Sequence, residues 1–166
     1  MSSCLTNGIG KRLVMKNIDE LVKKLKQKNI PMKKGTENQI EKLRSIVKGK
    51  NLPKTYIEFM GLMGNGTEGK YMAGDSCFMN EIFDLKQGAV ELLKENMSIN
   101  RLTDDEFVFW MSQGCMFCFF KLTEGDNPPI YFYNESGEDR FIKVADSIID
   151  FLINRLEMNE NLFAEI

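Results

Sequence analysis

The chain has 166 residues, of which 43% are hydrophobic and 28% charged, and its formal net charge is −2, which is ordinary for one globular domain. No run approaches the roughly 18 consecutive apolar residues that would span a bilayer, and the first residues do not resemble a secretory signal, so we expect a cytoplasmic protein outside the membrane. The chain contains no histidine, which excludes the commonest general base, the usual Ser–His and Cys–His pairs and the commonest zinc ligand.

The N-terminal segment differs from the rest of the chain. Residues 1–14 are polar and contain glycine, and Met15 opens a segment that already has a helical pattern. We therefore expect a disordered extension over residues 1–14, a single domain over residues 15–158 and a tail over residues 159–166. Met15 is an alternative start of the native chain.

The first predicted helix begins after Asn17, which is a good N-cap residue. It should end near Asn29, ahead of Pro31. Apolar residues recur at helical spacing between these limits, at Ile18, Leu21, Val22 and Leu25.

Two further helices are predicted before any long strand. One begins at Thr36, where Thr36 and Gln39 have the spacing of a capping box, and continues to Gly49 on Ile40, Leu43 and Val47. The other has Pro53 in its first turn and ends at Gly64-Asn65-Gly66. Its apolar positions are Tyr56, Phe59, Met60 and Met63.

The middle of the chain changes from helix to sheet. Short strands are predicted near Tyr71 and Ile82, and a fourth helix from about Leu85 to Asn96. Two aromatic-rich apolar runs, 107–111 and 115–122, are joined by the turn residues Ser112-Gln113-Gly114 and predict a hairpin with both faces covered.

Two shorter strands and a helix complete the prediction. The strands cover residues 130–133 and 141–144, and loops this short favour an antiparallel meander. The closing helix covers residues 146–157 and has an apolar face at Ile149, Leu152, Ile153 and Leu156. The fold class predicted is α+β, an antiparallel sheet with N-terminal helices and a C-terminal helix packed on it.

The cysteines do not form a convincing metal site. The pair Cys115 and Cys118 has Cys-x-x-Cys spacing, but residues three apart on a strand point to opposite faces, and a second cysteine pair is missing. We interpret Cys4, Cys77, Cys115 and Cys118 as reduced thiols, with the pair buried in the apolar strand. The glycines between Gly61 and Gly69 lack the ending of a phosphate loop. We therefore predict no catalytic residues, no metal and no cofactor.

Charge is divided unevenly along the chain. Residues 1–54 carry 14 Lys and Arg against 4 Asp and Glu, and residues 55–166 carry 8 against 20. The basic part includes Lys23, Lys24, Lys26, Lys28, Lys33 and Lys34, but it contains no aromatic residue on which bases could stack. A solvated helix face is therefore favoured over nucleic-acid binding.

Acidic residues of the second part cluster in two predicted turns, at Asp104, Asp105 and Glu106 and at Glu135, Glu138 and Asp139. Adjacent acids in turns are usually solvated rather than catalytic. They are candidates for contact with a basic partner.

The third helix carries a recognisable signature, Leu52-Pro53, Tyr56 and Phe59, followed by Gly64 and Gly66. It resembles the signature of the SUKH superfamily, named after a yeast regulator of cell-wall assembly. Residues 107–120 resemble the paired central strands of that family, and Val144-Ala145-Asp146-Ser147 resembles its closing motif. By their spacing, the signature residues have structural roles, a helix start, core positions and a C-cap with its turn.

The resemblance implies an α+β domain that in bacteria commonly binds and neutralises a secreted toxin, often a nuclease. Under this hypothesis the partner is a protein, and the two acidic clusters contribute to the surface that binds it. A regulatory or scaffold domain that recruits a host protein is the main alternative, and an RNA-binding module acting through the basic helices is a third. The oligomeric state stays open, because opposite charges on two parts of one chain also allow head-to-tail self-association.

Overall fold

The structure is a computed structural model that describes residues 16–161, and the side chains of residues 16–158. The predicted extension over residues 1–14, Met15 and Cys4 lie outside the described residues. The described part contains five α-helices and one five-stranded sheet. The helices are α1 (Ile18–Gln27), α2 (Glu37–Ser45), α3 (Lys54–Met63), α4 (Leu85–Glu95) and α5 (Ile148–Asn161), and the strands are β1 (Asp75–Ser76), β2 (Glu106–Ser112), β3 (Met116–Lys121), β4 (Ile130–Asn134) and β5 (Ile142–Ala145).

The sheet confirms the predicted α+β fold class. Its strand order is β1-β2-β3-β4-β5, and every neighbouring pair is antiparallel. The turn between β2 and β3 has positive φ at Gln113 (53°) and Gly114 (69°), as tight hairpin turns require. The predicted hairpin and meander are therefore both present.

The first two helices have the predicted caps. Asn17 Oδ1 accepts hydrogen bonds from the backbone nitrogens of Asp19 (3.1 Å) and Glu20 (3.3 Å). Thr36 and Gln39 form a reciprocal capping box with bonds of 3.2 and 2.9 Å. These side chains satisfy amide groups that a helix start otherwise leaves unpaired.

Aromatic residues fill both sides of the central hairpin. The ring of Tyr56 on α3 contacts Phe107 (5.3 Å) and Phe120 (5.2 Å), and α5 contributes Phe151, 5.3 Å from Phe109. An irregularity between Val108 and Trp110 turns both Phe109 and Trp110 towards α5. The opposite face packs against α4, where the Met111 side chain of β2 lies beside Gly88.

Several predicted boundaries require correction. Helix α2 ends at Ser45 instead of Gly49, because the chain turns through positive φ at Lys48 (50°) and Gly49 (81°). Helix α3 begins at Lys54, so that Pro53 precedes its first turn. Helix α5 continues beyond the predicted end at Glu157 to Asn161, into the predicted tail.

Neither short strand lies where it was predicted. Tyr71 is buried in a bend, followed by positive φ at Met72 (56°) and Gly74 (78°) that interrupts extended backbone, and β1 starts only at Asp75. Ile82 begins a 3₁₀ turn, Ile82–Asp84, that leads into α4.

None of the helices in the described part of the chain is long and apolar enough to cross a membrane.

Candidate interaction surface

The first predicted acidic cluster lies in the turn that leads into β2. The Asp105 carboxylate forms an ion pair with the ammonium of Lys50, and Asp104 Oδ2 lies 4.0 Å from Lys48 Nζ. Glu106 accepts a hydrogen bond from the backbone nitrogen of Thr103 at 2.9 Å and another from its hydroxyl. All three carboxylates of this cluster therefore have partners within the chain.

Lys86 at the start of α4 fixes the same turn from the other side. Its ammonium donates to the backbone oxygens of Thr103 and Glu106, the latter at 2.7 Å. Partial burial lowers the pKa of Lys86, and the neighbouring carboxylate of Glu106 acts against this shift. The turn borders a cavity of about 220 Å³ whose lining includes Ile46 and Phe83.

The second predicted acidic cluster lies in the turn between β4 and β5. Asp139 accepts hydrogen bonds from the Ser98 hydroxyl (2.5 Å), the Ile99 backbone nitrogen (3.2 Å) and Asn100 Nδ2 (3.1 Å). These bonds, that from Ser98 foremost, lower the pKa of the Asp139 carboxyl because they stabilise its charged form. Asp139 therefore joins the β4–β5 turn to the segment that follows α4.

The other two acids of this turn, Glu135 and Glu138, are more accessible to a partner than Asp139. Glu138 Oε2 lies 2.6 Å from Arg140 Nε, and both side chains are more than half exposed. The exposed Glu135 carboxylate forms no hydrogen bond or ion pair with the described residues. This turn therefore presents carboxylates that an external basic group can reach.

The two acidic clusters do not form one surface. Glu106 pairs with Lys121 at the end of β3, whereas Asn134, at the end of β4, pairs with Met116 at the start of β3. The clusters therefore lie at opposite ends of the sheet, roughly 20 Å apart for strands of this length. A partner that contacts one cluster need not contact the other.

Two apolar side chains beside the second cluster were not predicted from the sequence. Met97 and Ile99 follow α4 with relative exposures of 87% and 85%. The sequence does contain a pattern that separates them from their neighbours, because polar and apolar residues alternate strictly over residues 96–100.

The basic first third of the chain is partly neutralised by the acidic remainder. In addition to the pairs made by Lys48 and Lys50, Lys24 Nζ lies 3.4 Å from Glu157 and Lys16 Nζ lies 3.5 Å from Asp150. The two parts of the chain that differ in sign therefore contact each other within one molecule.

The signature residues lie in the core, as predicted. Tyr56 and Phe59 have exposures of 0% and 1%, and Leu52 and Pro53 are also buried. Gly64 is the residue after α3, and Gly66 has φ +106°, a conformation that favours glycine. The four apolar residues therefore belong to the core, and the two glycines shape the turn that follows α3.

The cysteine pair has a different geometry from the one predicted. Cys118 on β3 is buried, but Cys115 precedes the strand and is half-buried in the hairpin turn. Burial raises the pKa values of the Cys118 and Cys77 thiols. Within residues 16–158, no group of three or more histidine, cysteine, aspartate or glutamate side chains is placed to hold a metal ion.

A buried polar cluster was also missed in the sequence. Asp75 Oδ2 accepts hydrogen bonds from Trp110 Nε1 (2.9 Å) and from an Arg155 terminal nitrogen (2.7 Å). The Arg155 guanidinium also lies 5.0 Å from the centre of the Trp110 ring. The three residues come from β1, β2 and α5, so no local sequence pattern predicts them.

Comparison with known proteins gives one family. The model of the family described as SMI1 / KNR4 family (SUKH-1) matches residues 34–154. No curated protein shows significant sequence similarity to the chain.

Proposed function

Because the chain belongs to the SMI1 / KNR4 family (SUKH-1), we propose that it is an immunity-type protein that neutralises a cognate bacterial toxin by direct contact. The family includes toxin immunity proteins, and its members are generally binding proteins rather than enzymes. Family membership over residues 34–154 is the observation that carries this proposal.

The electrostatics of the β4–β5 turn support a basic partner, such as a nuclease. A nuclease cleft is basic because it holds phosphates. The exposed carboxylates of Glu135 and Glu138 can enter such a cleft, and complementary charge accelerates encounter and favours the correct partner. We favour contact at this turn over Asp104, Asp105 and Glu106, because Glu135 is exposed and has no side-chain partner among the described residues, whereas each of the three other acids has one.

Co-expression tests the proposal. The protein is produced in bacteria together with the toxin encoded beside its own gene, and growth is compared with that of cells producing the toxin alone. We expect growth to be restored and the two proteins to elute as one complex in gel filtration. Absence of both rescue and complex with every adjacent toxin would contradict the proposal.

The contribution of the turn is tested by charge reversal. Glu135→Lys should lower the association rate constant roughly tenfold at low salt and less at high salt, because salt screens the attraction. Stopped-flow or surface-based kinetics at two salt concentrations measure the effect.

Glu68→Lys is the matched control, since Glu68 is also exposed and has no side-chain partner among the described residues. If Glu135→Lys and Glu68→Lys bind with the same rate and salt dependence, the turn does not guide association.

A further inference from the structure

The segment after α4 separates its polar and apolar side chains sharply. Asn96 donates to the hydroxyl of Tyr133, Ser98 is 5% exposed and donates to Asp139, and Asn100 also donates to Asp139. The intervening Met97 and Ile99 are 87% and 85% exposed. Three side chains thus fix the backbone of residues 96–100, and the two between them project into solvent.

The backbone at Met97 is one that favours glycine. The Met97 nitrogen donates to Lys94 O (3.0 Å) and the Ser98 nitrogen to Leu93 O (2.9 Å), the bonding pattern of a Schellman motif at the end of a helix. Met97 has the positive φ (51°) that this motif requires, where a β-carbon is unfavourable. Packing against the described residues does not compensate for this, because the Met97 side chain is 87% exposed.

Comparison with other residues of positive φ distinguishes Met97. Among the described non-glycine residues with positive φ, Asn29, Lys48, Glu68 and Gln113 are polar, and Met72 is buried at 2%. Met97 alone in this set is apolar and exposed. An apolar side chain kept in an unfavourable conformation without an internal contact suggests a role outside the folded chain.

The charges near this segment define the chemistry of the partner. The exposed carboxylates of Glu95 and Glu135 have no side-chain partner among the described residues. The guanidinium of Arg101 donates to the backbone oxygens of Ser98 and Asn100, both at 2.8 Å, and Arg140 pairs with Glu138. The exposed Lys94 in the last turn of α4 is a third cation of this region. The four carboxylates of Glu95, Glu135, Glu138 and Asp139 thus outnumber the three cations Lys94, Arg101 and Arg140 by one, and this small negative excess fits a basic protein surface better than an anionic lipid surface.

We propose that Met97 and Ile99 are the apolar anchors of the interface, and that they insert into an apolar pocket bordered by basic groups on the toxin. This rests on the proposed function and adds the residues that hold the complex together. Methionine is enriched in protein interfaces, and a few central residues usually supply most of the affinity. The carboxylates around the two anchors should raise the association rate constant, whereas the anchors themselves should lower the dissociation rate constant.

Replacement of Met97 by glycine separates binding from folding. Met97→Gly removes the anchoring side chain, so it should raise the dissociation constant for the toxin roughly 30-fold. It also removes the unfavourable β-carbon at positive φ. Its melting temperature should be unchanged or raised by up to about 4 °C. Calorimetry with the purified adjacent toxin and thermal unfolding of the free protein measure the two effects.

Asn29→Gly is the matched control, because Asn29 is also exposed with positive φ (55°) and lies after α1. It should leave the affinity unchanged. If Met97→Gly lowers the melting temperature by several degrees, Met97 serves the fold and the inference is wrong. If both variants bind like the wild type, the inference is also wrong while the proposed function stands.

Ile99→Ser tests the second anchor, with Ile46→Ser as its control, since Ile46 is another exposed isoleucine (43%), beside the cavity at the opposite end of the sheet. We expect a loss of affinity only for Ile99→Ser. A wild-type protein that neither binds nor rescues would refute the proposed function, and this inference with it.

Two further measurements identify other occupants of the same residues. If the free protein forms dimers in sedimentation and Met97→Gly dissociates them, the occupant is a second copy of the chain. If it sediments with phosphatidylglycerol vesicles and Met97→Gly does not, the occupant is a lipid surface. Either result overturns the assignment to a toxin.

Discussion

At the scale of single residues, two buried tyrosines differ in what their hydroxyl groups contact. The Tyr71 hydroxyl donates to the backbone oxygen of Leu152 at 2.6 Å, whereas the Tyr56 hydroxyl has no partner among the described residues. Both side chains are 0% exposed, and burial raises both pKa values. A buried hydroxyl without a partner loses its bonds to water and gains none.

Removal of these hydroxyls should therefore have opposite effects. Tyr56→Phe should leave the free energy of unfolding unchanged or raise it by up to about 1 kcal/mol, and Tyr71→Phe should lower it by about 1 kcal/mol. Urea denaturation followed by tryptophan fluorescence measures both. An equal loss in the two variants would show that Tyr56 also has a hydrogen-bond partner.

At the scale of elements, the end of α3 depends on close approach to one carbonyl group. An ideal β-carbon at either Gly35 or Gly64 would lie 2.3 Å from the Met60 backbone oxygen. Gly61, within the same helix, has no neighbouring atom within 4 Å of the corresponding position. Glycine is thus needed at position 64 because a β-carbon would collide with the Met60 oxygen, and at position 66 because φ is positive there.

Alanine at Gly64, just after α3, and at Gly61, within α3, should give contrasting results. Gly64→Ala should lower the free energy of unfolding by about 2 kcal/mol or more, because the helix end must shift. Gly61→Ala should leave it unchanged or raise it by up to about 1 kcal/mol, since alanine is a better helix former. Thermal unfolding followed by circular dichroism distinguishes them, and similar stabilities would show that the helix end adapts easily.

Local sequence signals predicted most elements of this fold but not its surface. Thr36 and Gln39 predicted a helix start because a capping box needs only neighbouring residues, and the aromatic runs predicted the hairpin in the same way. The strands predicted near Tyr71 and Ile82 are wrong, because a short apolar run in the sequence does not distinguish a strand from a buried bend or a 3₁₀ turn. The partners of Asp104 and Asp105 were not predictable, since Lys48 and Lys50 are distant in sequence.

At the scale of the whole molecule, one polar cluster connects the first strand to the last helix. The Asp75 side chain is 5% exposed and that of Arg155 is 21% exposed. Arg155 Nε is itself buried without a partner among the described residues, so the pair is held by its other nitrogen and by the Trp110 ring. Loss of the arginine would leave a buried carboxylate with only the Trp110 hydrogen bond.

Arg155→Ala should therefore lower the free energy of unfolding by about 3 kcal/mol. Arg140→Ala is the control, because its ion pair with Glu138 is exposed, and it should cost less than about 1 kcal/mol. Guanidinium or urea denaturation of the two variants measures the difference. A small loss for Arg155→Ala would show that water replaces the arginine.

The Asp75–Arg155 pair and helix α1 extend the packed core beyond the family match. The family match covers residues 34–154, yet Leu21 and Leu25 of α1 are 0% exposed in the core, and Arg155 is the residue immediately after the match. Sequence similarity therefore marks a shorter segment than the packed core that the structure describes. Any excision or fusion of this domain should keep α1 and all of α5, because a fragment cut at the limits of the match would lose a helix of its core and the counter-ion of Asp75.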